Sequence, residues 1–156
     1  EALERIRSDT LTFALVGDLK YAVRGGRVPR STRLLADLLR VTPVLRTKPD
    51  GRIVPGGVLI GRAGRLRKFA RHVIARVDRR ARQRIAIGHA VCEDDALSLE
   101  RLLCDGLTDV ESSRITDLGT AFGVHGGPGT LVVSLQRYRL PARSSPPVGS
   151  IRSAPS

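Results

Sequence analysis

Residues 123–135, GVHGGPGTLVVSL, set one histidine ahead of three glycines and a proline, then run directly into a stretch of Leu and Val. Glycine adopts positive φ without steric cost, so the Gly-Gly-Pro-Gly run predicts a tight turn at 126–129. The apolar residues that follow predict a strand. A strand entered straight from such a turn needs partners, and the surrounding sequence offers them.

Upstream, RIAIGHAV at 84–91 reads as a second strand, and EDDALSLERLL at 93–103 as a helix whose leading acids complement the positive end of its dipole. DVESSRITDLGTAFG at 109–123 supplies a strand and a short helical or irregular step into the turn. From Arg62 to Arg80, Ala63, Leu66, Phe69, Ala70, Val73, Ile74 and Val77 recur at helical spacing and predict one long amphipathic helix. TPVLRTKPDGRIVPGGVLIG at 42–61 reads as a hairpin turning on Pro49, Asp50 and Gly51. Pro55 and the Gly56-Gly57 pair make its second strand irregular or an edge.

At the front, EALERIR is a helical lead-in, TLTFALV at 10–16 a buried strand, and GDLKYAVRGGRV one or two helical turns closed by Gly25 and Gly26. STRLLADLLR at 31–40 places Leu34, Leu35, Leu38 and Leu39 on one helical face, with Ser31 or Thr32 available as N-cap. Helices alternating with strands around a hairpin predict an α/β fold, a mixed sheet with helices packed on it. Residues 1–140 form one domain. PARSSPPVGSIRSAPS at 141–156 carries four prolines, five serines and little core material, and is expected to be a disordered tail.

Of the 156 residues, 41% are apolar but only 3% aromatic, so the core must be built from Leu, Val, Ile and Ala. The formal charge of +12, nearly all from arginine, suits an anionic partner. Arg65, Lys68, Arg71, Arg76 and Arg79 form the densest basic face, which reads first as a solvated surface and second as a nucleic-acid or polyanion module. No basic block is interleaved with aromatics for stacking bases, so nucleic acid is the weaker expectation. Cys92 and Cys104 stand alone, without zinc-site spacing, as reduced structural thiols that fit a cytoplasmic setting. No run approaches the length of a membrane span. The chain begins at Glu1 and contains no methionine, so its natural start is expected to lie upstream.

No nucleophile elbow, Walker loop or dinucleotide fingerprint is present, and no cofactor is implied. An acid–base pair of His125 and His89 lacks a companion carboxylate or nucleophile at recognisable spacing, so no enzyme is expected. The remaining candidates are His125, with Gly126, Gly127 and Gly129 letting backbone N–H groups approach a ligand, and His89 at a strand end. The same glycines also suit a turn that serves backbone geometry alone, and His89 equally suits a satisfied structural role. His72, on the basic helix, reads as surface. Arg27, after the paired glycines, is placed to present a guanidinium to a partner's acid.

Taken in order, DLKYAVRGGRVPRSTRLLADLLRVTPVLRTKPDGRIVP, IAIGHAV and FGVHGGPGTLVVSL resemble the carboxy-terminal half of the DegV family, over about Leu3 to Leu135. That family comprises the fatty-acid-binding subunits of bacterial fatty acid kinase. The resemblance implies a lipid-binding protein that encloses one long-chain fatty acid, presents its carboxylate to a separate kinase subunit and carries the acyl phosphate. In the family the histidine of the closing motif helps hold the carboxylate, a role that falls on His125. Arg27 maps to the face that meets the kinase. The family usually has threonine where Gly126 stands, so one hydroxyl is missing. After the hairpin its basic, small, basic pattern becomes Ile60, Gly61 and Arg62, leaving Arg62 as the surviving contact. Its amino-terminal domain, with the hydroxyls that complete the carboxylate site, is absent from this sequence, which resembles a truncated binding protein.

Overall fold

The computed structural model describes residues 2–24, 26, 41–61 and 63–138. The helix expected at 31–40, Arg27, Arg62 and the tail at 141–156 lie outside these residues. Among the described residues the order is α1 (Ala2–Ser8), β1 (Thr10–Leu15), α2 (Leu19–Arg24), β2 (Val41–Thr47), β3 (Ile53–Ile60), α3 (Arg65–Ile74), β4 (Gln83–His89), α4 (Glu93–Gly106), β5 (Val110–Asp117), α5 (Gly119–Gly126) and β6 (Leu131–Arg137). The strands make one sheet in the order β3-β2-β1-β6-β4-β5. Only β4 and β5 run parallel, so the sheet is mixed, as the hairpin and the alternating helices predict.

Period-two alternation explains which face is covered. Phe13 and Leu15 of β1, Ile85 and Ile87 of β4, and Leu131, Val133 and Leu135 of β6 are all buried. Against them α3 lays Phe69, Ala70 and Val73, and α4 lays Ala96, Leu99 and Leu103, in one continuous core. Each such large aliphatic or aromatic side chain contributes roughly 1.5–3 kcal/mol relative to exposure. The alternate residues of β1 and β6 are only partly buried, and Thr12 and Ser134 among them share a hydroxyl hydrogen bond of 2.8 Å across the two strands.

The hairpin follows its local chemistry. Asp50 Oδ1 accepts from Arg52 N at 3.0 Å, Gly51 takes φ +86°, and the Lys48 amide bonds Arg52 O at 2.8 Å. The side-chain and backbone donors of Arg52 hold the Asp50 carboxyl below its usual range. β3 lies at the sheet edge, and the pairing slips between Val44 and Leu45, opposite Gly57 and Pro55. Gly56 is the extra residue of that bulge.

Two expectations are corrected. The helix drawn over 62–80 spans only Arg65–Ile74: beyond it the amides of Arg76 and Val77 reach back three residues, to Val73 O at 2.9 Å and Ile74 O at 3.5 Å, and Asp78 then opens a separate turn in which its carboxylate accepts from Arg80 N at 3.1 Å and its carbonyl from Ala81 N. His72 is half-buried rather than surface: its ring packs edge-on against Phe13, 6.0 Å between centroids, and its buried Nε2 has no hydrogen-bond partner among the described residues. Desolvation holds its pKa below the usual histidine value, with Arg76 acting in the same direction.

Candidate functional site at the end of the sheet

β1 and β4 are both antiparallel to β6, so their carboxy-terminal ends flank its start. β5 is parallel to β4 and ends on the same side. Because β4 lies between β5 and β6 in the sheet, the link that carries α5 must cross the end of β4. That crossing is pinned on both sides. Leu118 N donates to His89 O at 3.0 Å where the link begins, and Gly129 N donates to Ala90 O at 2.8 Å where it ends. Ala90 N returns a bond to Thr130 O at 2.9 Å, and the Leu118 side chain fills the space a side chain on Gly88 would need.

The turn itself is built by close approach. α5 closes with Gly127 at φ +72°, its amide on Gly123 O at 2.8 Å and the Tyr21 ring of α2 where a Cβ would stand. Gly129 takes φ +81°. Gly17, just past β1, packs so closely that a Cβ there would lie 2.7 Å from Gly129 C and 2.9 Å from Thr130 N. Its amide donates to Thr130 Oγ1 at 3.0 Å, which ties the end of β1 to the start of β6. A Cβ on Gly126 would lie 2.6 Å from the same Thr130 Oγ1, so the buried Thr130 side chain occupies the room that any larger residue at 126 would demand.

His125 falls in the last turn of α5 rather than in the turn proper, and its ring is exposed. It adjoins Gly126, Gly127 and Gly129 along one loop. His89 ends β4 and is buried, with Nδ1 3.7 Å from Asp117 Oδ1 on β5, beyond hydrogen-bonding reach and with no other partner among the described residues. The two histidines therefore belong to the same end of the sheet but to different attachments: His125 to the crossing link, His89 to the β4–β5 pair. Cys92 Sγ lies 3.5 Å from Thr130 O, and burial pushes its thiol above the usual range, as an inert structural thiol requires. Among the described residues no three His, Cys, Asp or Glu side chains cluster as a metal site would need, and no helix is long and apolar enough to cross a membrane.

Sequence reasoning missed Gly17, Tyr21, Val91 and Thr130. Val91 is 85% exposed and holds φ +51°, a left-handed conformation that β-branched residues avoid. Phe122 and Val124 on α5 are exposed as well, so this end of the sheet carries apolar surface beside its glycine turn. Only Gly17 gave a local signal, a glycine immediately after an apolar strand.

Comparisons with known proteins agree on one family. The model described as "Uncharacterised protein, DegV family" matches residues 1–137. A DegV domain-containing protein of Clostridium perfringens is 29% identical over 140 residues, which is 88% of this chain and 48% of that protein. A solved structure of a DegV family protein from Thermus thermophilus, described by its fatty acid binding, is 30% identical with a TM-score of 0.69, covering 88% of this chain and 49% of that one. A DegV family protein from Ruminococcus gnavus, solved with vaccenic acid, is 27% identical with a TM-score of 0.66, covering 81% and 44%. The chain spans about half the length of the curated relatives it matches. With a family match over nearly all the described residues and the mixed sheet shared with these structures, the chain belongs to the DegV family.

Proposed function

We propose that this chain forms one wall of a fatty-acid site, with residues 1–140 as a lipid-binding half that holds the acyl carboxylate for phosphorylation by a separate kinase subunit. The observation that carries this reading is the pinned glycine turn: an exposed imidazole, His125, on a link fixed to the ends of β1, β4 and β6 beside exposed apolar residues. Burying an acyl chain contributes about 0.8 kcal/mol per methylene, and its carboxylate then needs donors in place of water. An imidazole supplies one. Fatty acids in the solved relatives support the same ligand class. In this reading the chain binds and presents; His89, Arg27 and Arg62 extend the ligand and kinase contacts, the kinase supplies the chemistry, and the setting is cytoplasmic.

The polyanion alternative keeps its basic face: among the described residues only Arg65 of the five is paired with a carboxylate, that of Asp95, while Lys68, Arg76 and Arg79 donate to the main-chain carbonyls of Ile60, His72 and Gly106 and keep their charge. It stands second because no comparison points to a polyanion, whereas solved relatives hold fatty acids. Mass spectrometry of gently purified protein, expressed with any residues that precede Glu1 in its natural product, tests the proposal. A long-chain fatty acid near one per chain is expected, depleted by His125→Ala. Protein that carries none and takes up none when oleate is added overturns it.

A further inference from the structure

Arg65 opens α3, and its Nη2 donates to Asp95 Oδ2 at 2.8 Å in the first turn of α4. The bridge joins two helices thirty residues apart in sequence, and it also fixes where the guanidinium lies. A Cβ built on Gly129 would stand 3.7 Å from Arg65 Nη2, with Gly17 Cα at 3.8 Å. Since Gly129 has no side chain, the guanidinium faces the bare main chain of the turn that follows His125. The Arg65 side chain keeps 32% of its surface exposed, and among the described residues the bond to Asp95 is the one hydrogen bond it makes. An arginine carries five N–H donors in a rigid fork, so most of its capacity is unspent.

We propose that Arg65 is the cationic binding residue of this site, its free N–H groups taking the carboxylate headgroup and so distinguishing a fatty acid from an uncharged lipid of equal length. The inference rests on the fatty-acid reading above. Charge-assisted bonds from a guanidinium to a carboxylate are short and planar, and a guanidinium beside a glycine lets the headgroup reach it without a side chain in the way. Asp95 has two opposed effects. It orients the guanidinium, and its own negative charge at 2.8 Å works against a second anion.

Those opposed effects give a sharp test. If the bridge only joins helices, losing either partner acts in the same direction. If Arg65 binds the ligand, its loss removes the preference for the acid, whereas Asp95→Asn keeps an acceptor that orients the guanidinium and removes only the opposing charge. Oleate and oleyl alcohol are titrated calorimetrically into the wild type, Arg65→Gln and Asp95→Asn, each in the full natural product, and the acid-to-alcohol affinity ratio cancels any change in the folded fraction. The wild type is expected to prefer oleate. Arg65→Gln is expected to weaken oleate at least tenfold while leaving oleyl alcohol within twofold, and Asp95→Asn to hold or raise the preference for the acid. Retention of that preference in Arg65→Gln overturns the assignment of Arg65 alone. A wild type that binds neither lipid overturns the fatty-acid reading and this inference together.

Discussion

The glycine turns at Gly51 and at Gly127 look alike in sequence and differ in what they require. At Gly51, the tip of the β2–β3 hairpin, φ is +86° and a Cβ would meet nothing within 4 Å. At Gly127 φ is +72° and the same Cβ would enter the Tyr21 ring. Gly17 adds the third case, close approach to the backbone of 128–130 with no positive φ. The hairpin tip uses glycine for conformation alone. The sheet end uses it for conformation and for space, and that is where strands β1, β4 and β6 are joined.

Alanine substitutions separate the two demands. Gly127→Ala meets both, and is expected to cost about 4 kcal/mol in urea denaturation, combining left-handed strain with overpacking. Gly17→Ala meets only the second, and about 3 kcal/mol is expected from displacing the backbone of residues 128–130. Gly51→Ala meets only the first, at about 1 kcal/mol. If Gly17→Ala proved as mild as Gly51→Ala, the close packing at the sheet end would not be the constraint described above.

A smaller effect distinguishes the two regions by pH. His72 packs beneath the bulge of β3, where a Cβ on Gly57 would strike its ring, and burial lowers its pKa. Its unfolded form takes up a proton more readily than the folded one, so this contribution is fully present above the ordinary histidine range near 6.5 and is lost as pH falls through it. Denaturation midpoints measured from pH 8 to pH 5 are expected to decline less steeply in His72→Phe than in the wild type. Equal slopes would remove His72 from the acid response.

What was legible in the sequence was local. The Pro49-Asp50-Gly51 turn announces its hairpin because the side chain of Asp50 and the φ of Gly51 act within four residues. Strands β4 and β6 were plain from their apolar alternation. The end of α3 was not, since helical periodicity continues to Val77 while the separate turn at Asp78 depends on one side-chain acceptor. His72 was misread because it borders the buried face that holds Phe69 and Val73, and only tertiary packing against Phe13 and Gly57 covers it. At the site, the glycines and His125 were visible as a run. Their partners Gly17, Tyr21 and Arg65 come from distant segments, and nothing in a linear pattern pairs Arg65 with Asp95 or with Gly129.

The left-handed backbone at Val91 carries a consequence for anyone wishing to produce or engineer this chain. A β-branched residue held at φ +51° costs of order 1–3 kcal/mol, and its side chain is 85% exposed, so no core contact offsets that cost. Glycine or asparagine tolerates the conformation. Val91→Gly is thus expected to raise the melting temperature by a few degrees, making residue 91 a rare position where shortening a side chain strengthens the fold.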